Sequence, residues 1–230
     1  MFERIKSGIP GLDELIEGGF LKGDIILLAG GTGAGKTIFS TQFIYNGAVQ
    51  YGEKGVYATF EEDKETLARN MLRFGFDLKK LEDEGSIKIL DLESLKGKGI
   101  SANMDYILSE VNRIGAKRLV IDSITAFLVA CKEEFEYRAL MHLFYKILKK
   151  SQCTTIMTCS IPLGSNKLGI GIEEFVADSV LILENVIVGA DLKTRFLIRK
   201  MRGTRHSRKY HNVIITDRGL EIIPISIGTE

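Results

Sequence analysis

Short runs of consecutive apolar and β-branched residues alternate along the chain with longer segments in which apolar residues return every third or fourth position. The runs read as strands buried on both faces, and the longer segments as amphipathic helices laid against them. Strands are predicted at Asp24 to Leu28, Gly55 to Phe60, Ile87 to Leu92, Arg118 to Asp122 and Thr154 to Cys159. Helices are predicted from about Lys36 to Gln50, Asp63 to Phe74, Asn103 to Ile114 and Glu133 to Lys150. In the last helix Phe135, Ala139, Leu140, Leu143, Phe144, Ile147 and Leu148 recur at helical spacing, which predicts that they form its buried stripe. Such alternation is the grammar of an α/β fold with a mostly parallel central sheet and helices on both faces. After Ser160 the grammar changes. Val180 to Leu183, Arg195 to Met201, Val213 to Thr216 and Leu220 to Ile223 follow one another without long helices, which predicts an antiparallel C-terminal extension. Residues 95–101 and 164–171, dominated by Gly, Ser and Lys, read as loops.

No Pro-, Gly- or Ser-rich linker divides the 230 residues, so one domain over residues 1–230 is expected. The formal net charge of +1 exerts no global pull toward nucleic acid or an anionic membrane. Cys131, Cys153 and Cys159 lack CxxC spacing, which argues against a zinc site or disulfide framework and suits a reducing compartment. The N-terminus has no apolar signal core, and no run of about 18 apolar residues is present to span a bilayer. A soluble, cytoplasmic protein is the expectation.

Candidate chemistry begins at Gly30-Gly31-Thr32-Gly33-Ala34-Gly35-Lys36-Thr37, which fits G-x-x-x-x-G-K-T between a predicted strand and a predicted helix. Glycines let the backbone wrap so that several N–H groups converge on phosphate oxygens, and the helix adds its positive N-terminal end. Residues Gly31 through Thr37 and Ile38 are therefore the expected nucleotide cradle, with Lys36 on the β and γ phosphates and the Thr37 hydroxyl on Mg2+. Leu119-Val120-Ile121-Asp122 is an apolar strand ending in a carboxylate, and beside a P-loop Asp122 is expected to help hold the metal. Taken alone, it could equally cap a turn. Glu61 and Glu62 follow the strand from Gly55, where one could orient water while the other supports it or the metal. The alternative is that they cap the next helix. Thr158 and Ser160, at the end of another core strand, stand where a γ-phosphate sensor would.

From Lys193 to Lys209 there are eight Lys or Arg residues and no Asp or Glu. If the strand from Arg195 continues to Arg202, Lys200 and Arg202 lie two apart on it and so share a face, a pair that suits a polyphosphate. They could reach the phosphates of their own site, complete a neighbouring subunit's site as an arginine finger, or form a solvated edge that resists aggregation.

Taken together, these motifs resemble the KaiC-like branch of the RecA-type ATPases over nearly the whole chain. The resemblance rests on Ser7-Gly8-Ile9-Pro10-Gly11-Leu12-Asp13-Glu14-Leu15, Gly18-Gly19-Phe20, the P-loop, Phe60-Glu61-Glu62, Ile121-Asp122-Ser123 and the segment Gly171 to Asp178. Its most specific part is Arg199-Lys200-Met201-Arg202-Gly203-Thr204-Arg205-His206-Ser207. It implies a RecA-like core in hexameric rings, slow ATP hydrolysis at subunit interfaces, Glu61 and Glu62 as catalytic carboxylates, and Lys200 and Arg202 as contacts in trans. ATP and Mg2+ are the implied cofactors. Hydrolysis would change the binding of a protein partner that the sequence does not identify. The chain looks like the single-domain archaeal homologues. Glu174 and Phe175 stand where the autophosphorylating half of the clock protein has a Ser-Thr pair, which argues against autokinase activity and leaves Thr204 and Ser207 as residual candidate acceptors.

Two other classes share such a core. One is a recombinase paralogue that binds single-stranded DNA, disfavoured because the loop at 164–171 carries Lys167 as its one basic residue. The other is a nucleotide-gated signalling scaffold. GTP is disfavoured because Asn166-Lys167-Leu168-Gly169 lacks the acid of N-K-x-D.

Overall fold

A computed structural model of the chain describes residues 2–92, 100–125, 134–161 and 176–224. Two short strands, β1 (Arg4–Ile5) and β2 (Phe20–Leu21), pair with each other. The main sheet is built from β3 (Ile25–Gly30), β4 (Gly55–Thr59), β5 (Ile87–Asp91), β6 (Arg118–Asp122), β7 (Thr154–Ser160), β8 (Ser179–Val188), β9 (Asp191–Met201), β10 (His211–Thr216) and β11 (Gly219–Pro224). Its spatial order is β11-β10-β9-β8-β3-β7-β6-β4-β5. The helices are α1 (Lys36–Tyr51), α2 (Lys64–Leu72), α3 (Leu78–Asp83), α4 (Ile100–Ile114) and α5 (Glu134–Ser151).

Neighbouring strands from β5 through β8 run parallel, and β9, β10 and β11 are antiparallel. The extension therefore starts one strand later than the sequence suggests, because β8 joins β3 in parallel. A parallel partner requires a long crossover, and residues 161–178 between β7 and β8 suffice for one.

Every residue of β3, β4 and β6 is buried, as strands covered on both faces must be. Alternation divides them between two cores. Ile26, Leu28, Tyr57 and Val120 meet Phe39 and Phe43 of α1 and Leu67 of α2. Ile25, Leu27, Leu119 and Ile121 meet Ile107 of α4 and Phe144 and Leu148 of α5. The buried stripe of α5 is Tyr137, Met141, Phe144 and Leu148, whereas Leu143 is 56% exposed, Ala139 is exposed and Ile147 is half-buried. Two apolar ridges run side by side on this helix, and Tyr137 and Met141 complete only the second. The side chains of Phe135 and Leu140 lie outside the described residues, as do the predicted loop at 164–171, Cys131 and residues 95–99 of the loop predicted at 95–101, whose last two residues, Ile100 and Ser101, instead open α4.

Arg118 opens β6 with a side chain wholly removed from solvent. Its guanidinium donates to Glu53 at 2.7 Å, to the Phe43 carbonyl at 2.8 Å and to the Lys6 carbonyl at 2.7 Å, and lies 4.6 Å above the Phe43 ring. Burial lowers its pKa, and the Glu53 carboxylate opposes that shift. Gly47 of α1 leaves the room this side chain occupies, since a Cβ there would sit 2.4 Å from Arg118 Cδ and Nε. Helix propensity alone favours Ala over Gly by about 1 kcal/mol. Overpacking costs about 1–3 kcal/mol, so Gly47→Ala is expected to lower the midpoint of urea unfolding; a raised midpoint would show that Arg118 can relax at no cost.

Candidate nucleotide site

The loop between β3 and α1 is shaped by its glycines. Gly33 and Gly35 have φ of 74° and 94°, where a side chain would strain the backbone. A Cβ at Gly30 would approach the Leu183 carbonyl oxygen to 2.6 Å, so β8 closes one side, while one at Gly31 or Gly33 would meet nothing within 4 Å. The cradle is thus open on its outer side. Gly35 is the N-cap of α1 and offers no capping side chain, so the first-turn N–H groups remain available to an anion. Lys36 Nζ lies along the loop and donates to the carbonyls of Gly30 at 2.9 Å and Gly31 at 3.1 Å.

Asp122 ends β6 next to this loop and is 5% exposed. Its Oδ2 accepts from the Thr37 hydroxyl at 3.1 Å and the Tyr57 hydroxyl at 2.6 Å, and its Oδ1 accepts from the Thr158 hydroxyl at 2.5 Å. Strands β4 and β7 flank β6, which explains how Tyr57 and Thr158 reach one carboxylate from opposite sides. Burial and the adjacent carboxylate push the Tyr57 phenol well above its ordinary pKa, so it acts as a donor. The donor set of the site, a hydroxyl and carboxylates, is hard oxygen chemistry, and Mg2+ needs only one or two carboxylates besides phosphate and water. Thr37 and Asp122 therefore fit the metal expected of them.

Glu61 and Glu62 leave β4 at the same edge. Neither caps α2. That position belongs to Asp63, whose Oδ1 accepts from the Thr66 N–H at 2.8 Å, a bond that holds the Asp63 carboxyl below its ordinary pKa. Exposed Glu61 instead accepts from the Ser123 hydroxyl. Glu62 is half-buried, with its carboxyl pKa raised by burial and by the charge of Asp122. The Thr59 hydroxyl donates to the Glu62 carbonyl at 2.8 Å and fixes the bend.

The structure thus brings the P-loop, Asp122, Glu61 and Glu62 to the C-terminal edge of the parallel strands. It does not bring Lys200 and Arg202 there. Lys200 Nζ donates to the Ala177 carbonyl at 2.7 Å, and Arg202 Nη1 lies 3.7 Å from Asp178 Oδ1. Asp178 Oδ2 in turn accepts from the N–H of Ile25, the first residue of β3. Ile25 and Gly30 are five steps apart along the strand, about 16 Å at the usual rise. Contact within one chain between this pair and its own P-loop is therefore not what the fold provides.

Thr158 is fully buried with its hydroxyl directed at Asp122, and the Ser160 N–H donates to Thr125 Oγ1 at 3.2 Å. Thr204 Oγ1 accepts from Arg4, and Ser207 Oγ lies 2.8 Å from His211 Nε2. Glu174 and Phe175 lie outside the described residues. Contacts with no motif signal complete the cradle. Asn185 donates to the Thr32 carbonyl at 3.4 Å, and Ile215 and Leu220 stand within 3.4 Å of where a Gly35 Cβ would be. Gln42 fixes that wall by accepting from the Leu220 N–H at 2.7 Å and donating to its carbonyl at 3.0 Å.

A family model described as the KaiC ATPase matches residues 5–227. A UPF0273 protein of Methanocaldococcus jannaschii is 34% identical, over 96% of this chain and 97% of the relative. The circadian clock oscillator protein KaiC of Synechococcus elongatus is 36% identical over 96% of this chain, which spans 44% of that longer protein. Among solved structures, a KaiC-like protein from the hyperthermophilic archaeon Pyrococcus horikoshii shares 45% identity and superposes with a TM-score of 0.90, over 97% of this chain and all of that one. Among the described residues no helix is long and apolar enough to cross a membrane. Motif order, sheet topology and these matches converge: the chain belongs to the KaiC family of ATPases, within the nucleotide-binding RecA superfamily.

Proposed function

We propose that this chain binds Mg-ATP and hydrolyses it slowly, at sites completed between subunits of a hexameric ring. The observation that carries the reading is the division of the machinery between two edges of one sheet. The P-loop, Thr37, Asp122, Glu61 and Glu62 share the C-terminal edge, while Lys200 and Arg202 sit near Asp178 at the other. A neighbour's basic pair facing each P-loop unites them.

In this reading the N–H groups of residues 31–38 hold the phosphates, and Lys36 exchanges its two loop carbonyls for phosphate oxygens. Thr37 and Asp122 would hold Mg2+, which would supply neutralisation of phosphate charge. Glu62 accepts the proton of the attacking water, a task suited to a carboxylate whose pKa burial and the charge of Asp122 raise above its ordinary value. Glu61, fixed by Ser123, orients that water. Lys200 and Arg202 of the neighbour stabilise the charge that develops as the γ-phosphoryl group leaves. The energy released would alter ring conformation and, through it, capture of a protein partner.

The experiment is steady-state phosphate release with and without Mg2+, on wild type and on Glu61→Gln/Glu62→Gln. Removing both carboxylates is expected to lower turnover by about 10^2 to 10^4, the usual range for a positioned general base, while ATP still binds. Undiminished turnover would contradict the assignment.

A further inference from the structure

Asp122 is held by three hydroxyl groups, and only Thr37 belongs to the phosphate motif. Tyr57 is 1% exposed and Thr158 is fully buried, so neither bond is exchanged with bulk water. We infer that Tyr57, together with Thr158, is a positioning residue that presents Asp122 as the acceptor for the Thr37 hydroxyl and so sets how tightly the nucleotide site takes its divalent cation. The inference rests on the proposed reading of Thr37 and Asp122 as the metal-holding pair.

The geometry behind it is a matter of lone pairs. A carboxylate offers about four acceptor positions, and the two bonds at Oδ2 place Tyr57 and Thr37 side by side on the same oxygen. Thr158 occupies Oδ1 from the opposite strand, so the carboxylate cannot rotate without breaking bonds on both sides. A hydroxyl that gives its oxygen to a metal must send its proton elsewhere. Asp122 Oδ2 stands 3.1 Å away and receives it. Without Tyr57 and Thr158, Asp122 could turn from Thr37, and the hydroxyl would be free to adopt rotamers that do not face the metal. An outer partner of this kind typically governs metal affinity by about 10-fold to 100-fold.

Tyr57→Phe removes one oxygen and keeps the ring in its core, where Val120 is its neighbour across the ladder. Thr158→Val removes the second hydroxyl at nearly constant volume, and Thr158→Ser restores it. The measurement is calorimetric binding of ADP across a Mg2+ titration, with circular dichroism melts alongside. In wild type, Mg2+ is expected to tighten ADP binding; if it does not, the metal reading itself is wrong, independently of Tyr57. Given that gain, Tyr57→Phe and Thr158→Val are each expected to raise the half-saturating Mg2+ concentration about tenfold, the lower end for lost outer partners. Metal-free ADP affinity should stay within twofold, and Thr158→Ser should behave as wild type. An unchanged Mg2+ requirement in both hydroxyl-deleted variants would overturn the inference. So would an equal loss of affinity with and without metal, which would mark Tyr57 and Thr158 as structural alone.

Discussion

Arg202→Ala is expected to cut ATP turnover by about a thousandfold or more, the scale on which an arginine finger contributes to phosphoryl transfer, while each subunit still binds Mg-ATP with near wild-type affinity. The split between turnover and binding follows from position. Asp178, the carboxylate 3.7 Å from Arg202, also accepts the N–H that begins β3, whereas the P-loop follows the end of that strand. Arg202 therefore has no part in its own subunit's grip on phosphate. The fold is also expected to tolerate its loss. The side chain is 53% exposed, and Asp178 keeps a closer cation in Lys149 at 2.7 Å. The Arg202 end of the pair is exposed to solvent and loose, and Lys149 still neutralises Asp178, so the variant should melt close to wild type. Phosphate release, fluorescent-ATP binding and a melting curve on one preparation check all three statements. Loss of ATP binding in proportion to loss of turnover would place Arg202 in the cradle itself.

Lys36→Ala is the second large effect, and it should differ in kind. Lys36 lies on the loop that forms the cradle, so its loss is expected to weaken ATP binding and to reduce turnover by at least about 10^2, as removal of one charge-stabilising donor does elsewhere. Its ammonium is satisfied by the Gly30 and Gly31 carbonyls, which also accept from the N–H groups of Ile161 at 3.0 Å and Ala34 at 3.3 Å and so keep a partner once it is gone; stability should change little. Equilibrium binding of ATP and a phosphate-release assay read the two effects separately. Full activity in Lys36→Ala would remove the P-loop from the mechanism.

What could be read from the sequence was largely what depends on contiguous residues. The phosphate loop needs glycines at fixed offsets between strand and helix, and Gly33 and Gly35 do carry the positive φ that such a loop demands. Asp122 was legible as a candidate because Leu119, Val120 and Ile121 form an apolar run that ends on that carboxylate. The capping of α2 was ambiguous for a physical reason, since Glu61, Glu62 and Asp63 all suit a helix N-terminus and only the turn at Thr59 selects Asp63. Strand direction is also silent in periodicity, so β8 looked like a member of the antiparallel extension although it lies parallel to β3. Strands β1 and β2, two residues each, are too short to show any period. Apart from Thr37 with Asp122, long-range polar contacts left no trace. Tyr57 looks like one more apolar strand residue, Arg118 like a strand terminus, and the bonds from Gln42 to Leu220 join residues 178 positions apart. Partner choice in such contacts is set by packing, which a linear pattern does not encode.

The shared site is the central claim, and mixing two inactive proteins tests it most directly. Arg202→Ala retains an intact P-loop, Asp122 and both glutamates, while Glu61→Gln/Glu62→Gln retains an intact Lys200 and Arg202. Neither alone should release phosphate at more than a small fraction of the wild-type rate. Mixed in equal amounts under conditions that allow subunits to exchange, with molar mass followed in the presence of Mg-ATP, they should form rings in which a glutamate-bearing site faces an arginine-bearing neighbour, and activity should return to a substantial fraction of wild type. A monomer that hydrolyses ATP at the wild-type rate, or a mixed ring that remains as inactive as its parents, would contradict a site shared between subunits.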